Sequence, residues 1–80
     1  MKTGYLIQDV RRIELENLTA KAEGGAFVTG DVANQHASPS VGDASLVIEG
    51  EEFAGNVFRC TGSQVIFESD RFAEIAEKIA

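Results

Sequence analysis

The sequence predicts an α+β fold: a four- to five-stranded, mainly antiparallel sheet with a C-terminal helix packed on one face. Three observations predict it. Short runs of alternating apolar residues are separated by Gly-Gly or Gly-Ser pairs. The last ten residues repeat their apolar positions at helical spacing. The 80 residues, 44% of them apolar, suffice for a single domain spanning 1–80. A chain this short buries only about 60% of the surface its unfolded form exposes, so each element must serve the core.

Residues 5–15, YLIQDVRRIEL, carry two patterns. Ile13 and Leu15 alternate with Arg12, Glu14 and Glu16 as in a half-buried strand, whereas Leu6, Val10 and Ile13 fit one helical stripe. The downstream hairpins favour a strand. In LTAKAEGGAFVTG, Gly24 and Gly25 supply the positive φ angles of a two-residue turn. Ala22 then faces Phe27, and Leu18, Ala20, Ala22 and Phe27 share a face, with Lys21 and Val28 on the other. Residues 32–43 hold the sole proline and histidine and read as a loop, with one helical turn possible at its start. ASLVIEG is a further strand, Leu46 and Ile48 on one face and Val47 and Glu49 on the other.

In NVFRCTGSQVIFES, Gly62-Ser63 forms a two-residue hairpin loop. That register sets Cys60 against Val65 and Phe58 against Phe67, all on one face, with Val57, Arg59, Ile66 and Glu68 opposite. In SDRFAEIAEKIA, Phe72, Ile75, Ala76 and Ile79 form one helical stripe. Ser69 or Asp70 caps its start, and Glu74 and Lys78 pair at i, i+4. A helix this short does not hold alone in water, so it docks, with the Phe58–Phe67 face as its expected bed.

The net charge of −6 is unevenly placed. Residues 1–21 sum to +1 and residues 59–80 to −1. Residues 22–58 contain no Lys or Arg and sum to −6 through Glu23, Asp31, Asp43, Glu49, Glu51 and Glu52. This sign argues against direct nucleic-acid binding and against adsorption to an anionic membrane surface. No run of about 18 apolar residues exists to span a bilayer. The opening residues lack the apolar core of a signal peptide. One cysteine, Cys60, cannot close an internal disulfide. The expected compartment is the cytoplasm.

Catalytic chemistry has little material here, and the expectation is a protein that is not an enzyme and carries no cofactor and no metal. His36 stands alone in a polar loop, where a histidine is most simply solvated. Cys60 faces Val65 in the expected hairpin, a setting for an inert buried thiol rather than a nucleophile. Asp43, Glu49, Glu51 and Glu52 offer hard oxygen ligands, but their spacing does not match a calcium loop. The Lys/Arg-free segment has two readings. In one, its charge only keeps an exposed strand edge soluble and unpaired; in the other, it forms a surface for a basic partner.

The opening MKTGYLIQDVRRI, and GEEFAGNVFR at residues 50–59, resemble strands of small phage-encoded anti-CRISPR proteins, the second being similar to a strand in inhibitors of type I systems. The resemblance covers about a third of the chain. It implies an inhibitor of a type I Cascade complex, with type I-C as the nearest subtype, in the cytoplasm of an infected bacterium. Such a protein would act as a DNA mimic by covering a basic DNA-binding surface. The resemblance carries over no functional residue; on charge alone, the expected contact residues are Asp31, Asp43, Glu49, Glu51 and Glu52, with Phe53 as an apolar anchor, in a monomer or weak dimer. The rival expectation is a small phage or bacterial structural or interaction module whose acidic segment serves solubility.

Overall fold

A computed structural model describes residues 2–33 and 39–80. Six strands run in chain order: β1 (Gly4–Gln8), β2 (Arg11–Lys21), β3 (Phe27–Val32), β4 (Gly42–Ile48), β5 (Glu51–Thr61) and β6 (Gln64–Glu68). One helix, α1 (Phe72–Ile79), follows. The strands close in the order β1-β2-β3-β6-β5-β4, every pairing antiparallel.

The expected open sheet is therefore overturned: the fold is a closed six-stranded antiparallel barrel with one short terminal helix. The decisive segment is residues 5–15. It is neither one strand nor a helix but a hairpin folded at Asp9-Val10, where Asp9 takes φ 58°. Tyr5, Leu6 and Ile7 then pair on their other side with Val47, Leu46 and Ser45, which removes the last free edge.

The alternating pattern now reads as inside and outside of the barrel. Leu6, Ile13, Leu15, Leu18, Val28, Leu46, Ile48, Phe53, Val57, Val65 and Phe67 form the interior, together with Ile75 from the helix. Leu46 and Ile48 share the inner face as expected. Val47 lies on the outer face yet is buried, between its register partners Tyr5 and Glu52.

Two bulges bend the strands and break the simple alternation. The first lies between Glu16 and Thr19, where Asn17 takes φ 56°. The second lies between Val57 and Arg59. From Arg59 to Thr61 the expected register holds, with Gly62 at φ 61° opening the two-residue loop. Beyond the bulge it shifts: Val57, not Phe58, pairs with Phe67 and enters the core, and Phe58 is half exposed. The loop after β2 also differs from expectation. Lys21, not Ala22, pairs with Phe27, five residues connect them, and Val28 rather than Phe27 faces inward. Phe27 folds over Gly25, where a Cβ would stand 2.6 Å from its ring.

The helix follows β6 and closes the barrel end at which β1 begins and β4 turns into β5. It contacts β2 and β3 rather than the outer hairpin face, and Ile75 is fully buried. Arg71 is its N-cap residue and no side chain caps it. Ser69 Oγ instead accepts from the Arg71 N–H (3.1 Å) and donates to the Ala54 carbonyl (2.7 Å), fixing the turn before the helix. Glu74 pairs with Arg71, and Lys78 reaches Glu51 at 3.2 Å, so the expected Glu74–Lys78 pair does not form. His36 lies outside the described residues.

Candidate functional site

The six residues expected to form a binding surface occupy four separate places. Glu49 lies in the tight β4–β5 turn at the helix end of the barrel, and Glu51 follows it as the first residue of β5. Glu49 and Gly50 have φ 53° and 81°, as both central residues of a type I′ turn require. The turn aims Glu49 at Lys2 Nζ, 2.7 Å away. Glu51 accepts from Arg71 at 2.8 Å and from Lys78 at 3.2 Å. Lys2 holds the Glu49 carboxyl below its ordinary value, and Lys78, then Arg71, do the same for Glu51. These two glutamates, unneutralised by sequence neighbours, are thus neutralised by cations brought from both ends of the chain.

Asp43 and Glu52 project outward from β4 and β5, exposed. Asp31 lies on β3, separated from β4 by two strands in either direction around the barrel. It stands opposite Glu16 and accepts from Asn17 Nδ2 at 3.0 Å. The fold therefore does not gather Asp31, Asp43 and Glu52 into one patch. Phe53 is fully buried beneath the Arg71 guanidinium, 4.6 Å from its ring centroid. It is a core residue and offers no surface to a partner in this fold.

The ion pairs reveal where the net charge resides. Arg12 pairs with Glu14, and Arg11 lies 4.0 Å from Asp9. With the helix-end network, five of the seven basic side chains and five of the thirteen acidic ones are engaged. Eight carboxylates and two cations, Lys21 and Arg59, have no ion pair among the described residues. Cys60 is half-buried with its Sγ 3.5 Å from the Pro39 carbonyl. No group of three His, Cys, Asp or Glu side chains among the described residues is arranged to hold a metal ion.

Sequence reasoning missed one feature, an aromatic pair on the outer face. Phe58 is 52% exposed and stacks on Phe27 with ring centroids 5.3 Å apart, tilted by 36°. A signal was present: Val57-Phe58 and Phe27-Val28 each place two bulky apolar residues in succession. A pleated strand cannot send both of a pair to one face. Beside the aromatic pair is a shallow pocket of about 510 Å³, lined by Ala26, Ala54, Gly55, Asn56, Glu68, Ser69 and Asp70. Its two carboxylates have no cationic partner among the described residues, and Glu68 accepts only from Asn56 Nδ2 at 3.2 Å.

Among the described residues no helix is long and apolar enough to cross a membrane. No protein-family model, curated protein or solved structure matches the chain.

Proposed function

We propose that this chain is a non-catalytic binding protein whose partner presents a basic surface. The observation that supports this reading is the imbalance of charge without an ion pair among the described residues: eight carboxylates against two cations on one small barrel. That imbalance accounts for the net charge of −6 after internal pairing. A closed barrel has no free strand edge to lend, so recognition runs through side chains rather than strand addition. Long-range attraction speeds encounter with a basic surface and is screened beyond about 8 Å at physiological salt.

The specific partner we propose is a type I Cascade complex in the bacterial cytoplasm, on the strength of the sequence resemblance. The chain would exclude target DNA from a Lys/Arg-lined surface. The residues assigned to contact are Asp43 and Glu52, exposed and without an ion pair among the described residues, with Asp31 on a different side of the barrel. Glu49 and Glu51 serve the helix end instead.

The test is a pull-down with purified type I complexes, followed by a target-DNA gel shift. Asp43→Lys with Glu52→Lys is expected to abolish inhibition while the far-ultraviolet spectrum stays unchanged. Failure of the unsubstituted protein to bind the complex sinks the Cascade assignment. Unchanged inhibition by the double reversal sinks the assigned contact residues.

A further inference from the structure

We infer that the outer face bearing Phe27 and Phe58 is a self-association surface, and that a second copy of this chain places its Arg59 in the pocket beside that face. The bulge between Val57 and Arg59 is what builds the surface. In a regular strand Phe58 and Arg59 would point to opposite sides. Here Val57 takes the core position and both following side chains are exposed. Arg59 pairs in register with Ile66, whose neighbours Val65 and Phe67 are buried, so Ile66 and Arg59 share the outer face.

The resulting face is ordered along the barrel axis. Phe58 occupies the middle, and Phe27, level with Glu68 and opposite Lys21 of β2, reaches across β6 to its ring. Arg59 lies on the side toward the Gly62-Ser63 turn. Glu68 and Asp70 lie on the side toward the helix, lining the pocket with no cation among its residues. A face with a cation at one end, anions at the other and aromatic rings between is complementary to itself when turned by a two-fold axis through the rings. Arg59 of one copy then meets Glu68 and Asp70 of the other, twice per dimer, while Phe58 and Phe27 stack across the axis.

Arg59 has no ion pair of its own among the described residues, and neither carboxylate does. The second copy supplies what each lacks. An acidic foreign partner would meet the same Arg59 but would find carboxylates at the other end of the face. A basic one would meet the carboxylates but face Arg59. Only a dipolar partner satisfies both ends, and this chain is one. The apolar area is small, so the dimer belongs to the weak class of interface.

Sedimentation equilibrium across a concentration series to about 1 mM, the weak end of measurable association, tests the proposal. The expected result for the unsubstituted protein is concentration-dependent dimerisation. Phe58→Ser and Arg59→Glu are each expected to weaken it at least about tenfold. A variant carrying Glu68→Arg and Asp70→Arg is expected to be monomeric alone. Mixed with the Arg59→Glu variant it should form a heterodimer, because both cross-contacts are then again opposite in charge. That rescue requires both variants to be folded, so loss through misfolding cannot imitate it. A protein monomeric over the whole range, or an equal mixture that does not associate, overturns the proposal.

Discussion

Arg71 and Glu51, twenty residues apart in sequence, meet at 2.8 Å and tie the terminal helix to the first residue of β5. The same guanidinium donates to the Glu52 carbonyl at 3.4 Å and lies over the ring of Phe53. One arginine thus covers a core phenylalanine and holds the helix over the barrel end. Lys78, two turns further along the same face of the helix, grips the other oxygen of Glu51.

This arrangement sets a pH dependence for helix docking. Hydrogen bonds from Lys78 and Arg71 hold the Glu51 carboxyl below its ordinary 4.5, and Lys2 does the same for Glu49. A carboxyl depressed in the folded state contributes stability at pH values above its unfolded value. That contribution is lost as pH falls through the folded value. Helix docking is therefore expected to be unchanged from neutral pH down to the ordinary glutamate value and to weaken below it. Amide exchange of Ile75 and Ala80, whose N–H groups close helical bonds to Arg71 and Ala76, reads this locally. Glu51→Gln should speed exchange at neutral pH by a few-fold at most and flatten the profile. An exchange profile identical in both proteins would remove Glu51 from the docking role.

Ile75 is the helix's plug. It is fully buried within the barrel core, whereas Phe72 and Ile79 only pack against it. Ile75→Ala removes buried methyl groups and leaves a cavity at the barrel end, at an expected cost of about 2–4 kcal/mol in urea denaturation. Ala73→Ser, on the exposed side of the same helix, is expected to change stability by less than about 0.5 kcal/mol. Equal losses in the two variants would mean that the helix does not dock through Ile75.

Local pieces of this fold were legible in the sequence, the closed barrel was not, and the misses have specific causes. The Gly62-Ser63 turn, the pairing of Cys60 with Val65 and the inner face of Leu46 and Ile48 follow from period-two alternation and turn chemistry. The helical stripe of Phe72, Ile75 and Ile79 was equally plain. Closure was not legible, because it depends on β1 pairing with β4, some forty residues apart. The bulges were hidden as well. One extra residue at Phe58 inverts the faces of everything before it on β5, so Phe58 and Val57 exchange places. The charge map failed for a related reason. Glu49 and Glu51 have no cation near them in sequence, yet closure of the chain ends brings Lys2, Arg71 and Lys78 to them.

The β4–β5 turn holds a residue poorly suited to its conformation. Glu49 has φ 53°, in the left-handed region that asparagine and glycine enter more readily. Glu49→Asn creates the Asn-Gly pair that type I′ turns prefer, at the loss of an exposed pair with Lys2. In 1 M salt, where that exposed pair is screened, the substitution is expected to stabilise the protein by about 0.5–1 kcal/mol. A decrease in thermal midpoint at high salt would show that the turn is not governed by the φ preference.

Gly55 marks the tightest approach between β5 and the end of β6. A Cβ there would stand 2.2 Å from the Glu68 carbonyl oxygen and 2.7 Å from the Phe67 ring, both fixed by the barrel. Ser69, which bonds the Ala54 carbonyl next door, holds the strand end in this position. Gly55→Ala must therefore push β6 outward or displace Phe67 from the core, an overpacking cost expected at about 1–3 kcal/mol. The displacement would also splay the pocket between Asn56 and Asp70, so a folded Gly55→Ala protein should lose self-association along with stability. Gly24→Ala separates the two effects. Gly24 has no atom within 4 Å of its Cβ position, so it costs only its strained φ of 71° and leaves the pocket intact. Denaturant midpoints and sedimentation of the two variants, measured side by side, give the comparison. A Gly55→Ala protein as stable as the unsubstituted chain would mean that β5 and β6 lie further apart than this geometry holds them.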